Sequence, residues 1–137
     1  MLRDRGIETV SCDLSARMAA LNGGAAVAAD EEFLPFGPGS FDLIVASLSL
    51  HWVNDLPGAL IQIRQALRPD GLFLASIPAL GTLTELRSAL TEAETAVSGG
   101  VSPRVSPFPE LRDCAGLLQR AGFALPVADI EDISIAY

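Results

Sequence analysis

The chain has 137 residues, half of them hydrophobic, with 9 basic against 17 acidic side chains and a formal net charge of -8. That length suits one domain with a sizeable core, the hydrophobic share argues against disorder, and the acidic balance argues against non-specific binding to nucleic acid or anionic membranes. All nine cations are Arg, which removes lysine Schiff-base chemistry and the P-loop lysine, and the single His removes HExxH zinc sites and any other site built on two histidines. Strand-like and helix-like segments alternate along the chain, which predicts an α/β domain with a largely parallel sheet. Glu8 to Asp13 reads as a short strand ending in an acid, followed by a short helix over Ser15 to Leu21 that Asn22-Gly23-Gly24 stops. Ala25 to Asp30 is a second apolar run ending in an acid, and Phe33 to Ser40 is a loop by its Pro and Gly content. Phe41 to Leu48 is almost continuously apolar, as a strand covered on both faces should be. Asp55 is placed to cap the next helix, with Pro57 in its first turn and Leu56, Leu60, Ile63 and Leu67 on one stripe. Pro69-Asp70-Gly71 ends that helix and Leu72 to Ile77 forms another strand. Thr82 and Glu85 have the spacing of a capping box ahead of Leu83, Leu86, Leu90 and Ala93. Gly99 to Pro109 is a second loop. Leu111, Leu117, Leu118 and Ala121 predict a last helix closed by Gly122, and Phe123 to Tyr137 reads as an extended segment with Val127, Ile130, Ile133 and Ile135.

In open parallel sheets, ligands bind beyond the carboxyl ends of the strands. Three such ends carry polar groups: Asp13, Asp30 with Glu31, and Ser47 with Ser49. A carboxylate just past a strand accepts both hydroxyls of a ribose, and a second one reads an adenine edge. The same acids also read as helix caps or solvated loop residues. His51-Trp52 follows the Phe41 strand, either as a structural pair or as a wall of a substrate pocket in which Trp52 stacks on a ligand.

Other patterns fail. Gly37-Pro38-Gly39 is a turn and not a phosphate loop, and no GxSxG elbow is present. Asp30-Glu31-Glu32 reads as solvated acids before it reads as a hard-cation site, so no metal is expected. Cys12 and Cys114 form no CxxC pair and read as free thiols of a reducing compartment. No apolar run reaches the length of a membrane span, and MLRDRGIETV is followed by no secretory h-region.

Taken together, Ala29 to Phe36 (ADEEFLPF), Ser40 to Val45 (SFDLIV), Leu67 to Leu72 (LRPDGL) and Val10 to Met18 (VSCDLSARM) resemble the second to fifth strands of class I S-adenosylmethionine-dependent methyltransferases. Ala29 to Phe36 again, Ser47 to Pro57 (SLSLHWVNDLP), Thr82 to Glu94 (TLTELRSALTEAE) and Ser102 to Phe108 (SPRVSPF) are similar to one branch of that superfamily. This branch holds the methyltransferase-like arginine-hydroxylase assembly factor of respiratory complex I and its bacterial relatives. The resemblance runs from about Glu8 to Tyr137. It implies a Rossmann-like α/β sheet, an S-adenosylmethionine cofactor, a complex I subunit as partner, and residence in the bacterial cytoplasm or the mitochondrial matrix. The absence of an Arg- and Ser-rich leader favours the cytoplasm. Neither nucleic acid nor membrane insertion is expected.

The resemblance also implies roles. Asp13 looks like the acid on the ribose hydroxyls and Leu14 like its neighbour against the adenine. Asp30 looks like the acid near the adenine amino group, Glu31 supplies backbone contact, and Ser47 lies along the methionine moiety. His51 and Trp52 then face the substrate. No side chain is assigned a catalytic role. The glycine-rich E/D-x-G-x-G turn of the superfamily's first strand has no counterpart here, nor has its closing antiparallel strand, so residues 1–137 are expected to form a single methyltransferase-like domain that is partial. An enzyme of this family is the first reading. A non-catalytic assembly scaffold using the Ser98 to Pro109 loop, and a small-molecule O-methyltransferase, are the alternatives. Hydroxylation of arginine does not follow from the residues, because one His cannot make a 2-His-1-carboxylate iron site.

Overall fold

The protein is described by a computed structural model over residues 3–21 and 23–134. Asn22, expected in the turn after the first helix, and Ile135 and Tyr137, expected in the closing segment, lie outside the described residues. Two compact units divide the chain, one running to Ser76 and one from Ile77.

The first unit holds β1 (Val10–Asp13), α1 (Ala16–Leu21), β2 (Ala25–Ala28), β3 (Phe41–Ser47), a 3-10 turn over Leu50–Trp52, α2 (Leu56–Ala66) and β4 (Leu67–Ser76). This is the order read from the sequence. β1 and β2 pair in parallel from Val10 opposite Ala25 to Asp13 opposite Ala28. β3 and β4 pair in parallel from Phe41 opposite Leu67 to Ser47 opposite Ser76. Among the described residues no ladder joins the two pairs, so two short parallel sheets stand where one larger parallel sheet was expected. β3 is not covered on both faces: Asp42, Ser47 and Val45, the last 52% exposed, look outward. A pleated strand sends alternate side chains to opposite faces, and exposed residues fall on both faces of β3, Asp42 on one and Val45 with Ser47 on the other, so neither is fully covered.

α2 supplies the core. Asp55 caps it, its side-chain Oδ1 accepting from the Gly58 amide at 2.9 Å, and Pro57 occupies the first turn, where its missing N–H costs nothing. Ala59, Leu60, Ile63 and Ala66 recur at helical spacing and are buried. Leu67, expected on the helix stripe, is buried as the first residue of β4 instead. The Pro69-Asp70-Gly71 turn sits inside β4 as an irregularity. Phe41 faces Leu67 and Leu43 faces Leu72, so four residues loop out opposite Asp42, with Asp70 at φ 62. Arg68 spans the bulge through an ion pair with Asp42 at 2.7 Å.

The second unit holds α3 (Thr84–Ser98) and α4 (Leu111–Arg120), neither with a buried residue. The Thr82 capping box does not form. Leu83 takes the cap position in the left-handed region at φ 58, and the Thr84 hydroxyl donates to the Gly81 carbonyl at 2.6 Å. Glu94 of α3 instead clasps the following loop, accepting from the Ser102 amide at 2.7 Å and from the Arg104 guanidinium. Gly122 ends α4 at φ 91, as its sequence position predicts. Residues 123–134 form no strand, against expectation. Val127, Ile130 and Ile133 are exposed there, and an extended segment without a partner edge has no ladder to join.

Candidate functional site

Asp13 closes β1, and Asp30 lies two residues beyond the end of β2. Because Asp13 faces Ala28 across the ladder, the two acids share the carboxyl end of one parallel pair. The Ala29 amide donates to the Asp13 carbonyl at 3.1 Å and holds the two chain ends together. Each acid organises its own turn. Asp13 Oδ1 accepts from the Ser15 amide at 2.8 Å, and Asp30 Oδ1 from the Glu32 amide at 2.9 Å. The cap of α1 falls two residues after Asp13, where the Ser15 hydroxyl accepts from the Met18 amide at 3.4 Å. Each carboxylate thus engages one oxygen with a backbone amide and has a second acceptor oxygen. Leu14, beside Asp13, is 71% exposed and offers an apolar face. Glu31 is half-buried in the turn after Asp30. Burial of the Cys12 thiol, then the Glu31 and Asp13 carboxylates, push its pKa up, so Cys12 is a poor nucleophile.

Ser47 closes β3 with its hydroxyl 3.4 Å from that of Ser76 at the end of β4. The chain then turns sharply. Leu48 sits at φ 52, its amide donating to the Ser76 carbonyl at 2.9 Å. Leu50 is buried as the anchor of the 3-10 turn, which leaves Trp52 75% exposed with its ring 4.8 Å from that of His51. Exposed aromatic area beside a strand end is the kind of surface that stacks on a ligand.

Two further side chains belong to this region, and the sequence reading assigned neither to it. Glu32 Oε1 accepts from the Asn54 amide and from the Asp55 amide, the latter at 3.2 Å. Gln62 of α2 donates to the Glu32 carbonyl at 2.6 Å and accepts from the Leu34 amide at 3.0 Å. These bonds fasten the Asp30 loop to the turn after Trp52. Their partners lie 22 to 30 residues apart, so no local pattern marks them. Asp30 and Glu32 therefore each engage one carboxylate oxygen with backbone amides. Among the described residues no group of three or more His, Cys, Asp or Glu side chains gathers to hold a metal.

Parallel strands with carboxylates at their carboxyl ends are the arrangement that nucleotide-binding α/β folds share. Residues 1–75 match the methyltransferase domain family, and the chain belongs to it. It is 53% identical over 111 residues to the mitochondrial arginine-hydroxylase NDUFAF5 of Homo sapiens, covering 81% of this chain and 32% of that protein. It is 38% identical over 113 residues to the malonyl-[acyl-carrier protein] O-methyltransferase of Xylella fastidiosa, covering 82% of this chain and 36% of that one. The chain spans about a third of the length of these relatives. Its fold is shared with an S-adenosylmethionine-dependent methyltransferase from Thermotoga maritima, at a TM-score of 0.62 and 22% identity over 80% of this chain and 51% of that one. The α/β order with its two short parallel sheets is thus a partial Rossmann-like methyltransferase fold. No helix among the described residues is long and apolar enough to cross a membrane.

Proposed function

We propose that the chain binds S-adenosylmethionine beyond the carboxyl ends of β1, β2 and β3, and serves to modify an arginine-bearing protein in the assembly of respiratory complex I. The observation that carries the cofactor reading is the pair Asp13 and Asp30, set at the ends of two adjacent parallel strands, each with a carboxylate oxygen left over. Asp13 accepts the ribose hydroxyls, the exposed Leu14 covers one adenine face, Asp30 accepts from the adenine amino group, Glu31 lends its backbone, and Ser47 lines the methionine moiety. The acceptor-only chemistry of two carboxylates fits the hydroxyl and amino donors of an adenosine. The bound cofactor supplies a sulfonium methyl open to in-line attack. What the chain contributes is placement and shelter from water, with His51 and Trp52 as the substrate wall. The flat, exposed indole of Trp52 suits a guanidinium, which stacks on aromatic faces. The 53% identity to an arginine-hydroxylase supports an arginine side chain at that wall. The 38% identical Xylella relative supports a second reading, methyl transfer to a carrier-bound acyl chain.

The test is calorimetric titration of S-adenosylhomocysteine into the chain and into its Asp13→Ala and Asp30→Ala variants. Micromolar binding weakened by about tenfold or more in each variant is the expected result, since a hydrogen bond to a charged group contributes about 1.5–3 kcal/mol. Equal heats in all three proteins would overturn the placement.

A further inference from the structure

We propose that Glu32 is a positioning residue, one that ties the turn carrying His51 and Trp52 to the Asp30 loop so that occupation of the Asp30 site fixes the substrate-facing wall. The inference rests on the reading of Asp30 as a cofactor contact. Glu32 is engaged at three points of its own structure. Its amide donates to Asp30 Oδ1 at 2.9 Å, its carbonyl accepts from Gln62 at 2.6 Å, and one carboxylate oxygen accepts from both the Asn54 and Asp55 amides. Asp55 passes the constraint on by capping α2 through Gly58, and α2 returns it through Gln62 to Leu34. The circuit is closed. A shift in the Asp30 carboxylate moves the Glu32 backbone, and the Glu32 side chain moves Asn54 and Asp55, two and three residues beyond Trp52. A residue that merely anchored α2 would not relay the state of Asp30.

The turn after Trp52 reports this directly, because the exchange of the Asn54 and Asp55 amides follows the opening of their bonds to Glu32. Residue-resolved hydrogen exchange is measured on the full chain, on Glu32→Ala, Glu32→Gln and Asp30→Ala, and on the double variant. Glu32→Ala is expected to lower protection at Asn54 and Asp55 about fivefold to tenfold, while Glu32→Gln, which keeps one oxygen acceptor, retains it. Asp30→Ala lowers protection at the same two amides and adds nothing in the Glu32→Ala background, the mark of a shared path. Unchanged protection in Asp30→Ala, or losses that multiply in the double variant, would overturn the proposal. Where Glu32→Ala fails to fold, Asp30→Ala and the unaltered chain with and without S-adenosylhomocysteine decide it: the ligand must slow exchange at Asn54 and Asp55. Ligand heat without that slowing removes the coupling and leaves the cofactor reading intact. No ligand heat removes the cofactor reading, and the Asp30→Ala exchange result then upholds or overturns the positioning role by itself.

Discussion

A Cβ on Gly58, at the third position of α2, would fall on the Asp55 carboxylate that caps the helix. Two effects of similar size then compete. Ala is a better helix former than Gly by about 1 kcal/mol, and loss of an Asp cap costs about 0.5–2 kcal/mol. With Asp55 present, Gly58→Ala is expected to be destabilising or neutral, because the methyl displaces the cap. In an Asp55→Ala background the cap is already gone, and the same change becomes stabilising by up to about 1 kcal/mol. Urea unfolding of the four proteins measures this reversal, and an equal gain in both backgrounds would refute it. Asp55 was legible in the sequence because capping is local, with donor and acceptor three residues apart. So were Asp13 and Asp30 as strand-end acids, since both follow short apolar runs. Glu32 and Gln62 were not, because their partners are set by tertiary contact, and an Asp-Glu-Glu run looks the same whether solvated or spent on amides.

At the level of the elements, local pattern sets where helices and strands form and tertiary geometry sets how they end. The four α-helices and four strands followed from periodicity and stop signals, while three features were decided by geometry that composition does not encode: the bulge that folds Pro69-Asp70-Gly71 into β4, the left-handed Leu83 that replaces the Thr82 box, and the lack of a strand among the described residues 123–134. The Glu94 clasp is of the same kind, joining α3 to a loop rich in Gly, Pro and Ser. The Ser102 amide first, and the Arg104 guanidinium after it, hold the Glu94 carboxyl below its ordinary value of 4.5. A lowered acid binds fewer protons folded than unfolded, so the clasp is fully formed above the ordinary value and is lost as pH falls through the lowered one. The Arg104 Nε resonance and the Ser102 amide shift are expected to stay constant through neutral pH and to titrate together below that ordinary value. In Glu94→Gln both titrations vanish. A Ser102 amide that moves near neutral pH, or not at all in acid, would contradict this account.

At the scale of the whole molecule, cohesion is uneven. The buried apolar residues found among those described are Ala19, Leu50, Ala59, Leu60, Ile63, Ala66 and Leu67, and all belong to the unit that ends at Ser76. The unit from Ile77 onward has two helices with no buried residue, and Val97, Leu125 and Val127 are each about nine-tenths exposed. A segment of that size cannot offset its chain entropy without a core, since roughly 1.5 kcal/mol is lost per ordered residue against about 25 cal/mol for each Å² of apolar surface buried. The two units are therefore expected to open separately. Amides in α2 and β4 should exchange only through the global transition, and amides in α3 and α4 through openings of much smaller free energy. Hydrogen exchange along a urea series separates the cases: protection in α3 and α4 should collapse first, at concentrations where the Leu60 and Ile63 amides are still slow. Truncation of buried Leu60 to Ala, which costs about 2–5 kcal/mol, should then lower the protection of α2 and β4 and leave that of α3 and α4 unchanged. A single isotherm that merges all four elements would mean that the chain unfolds as one cooperative body.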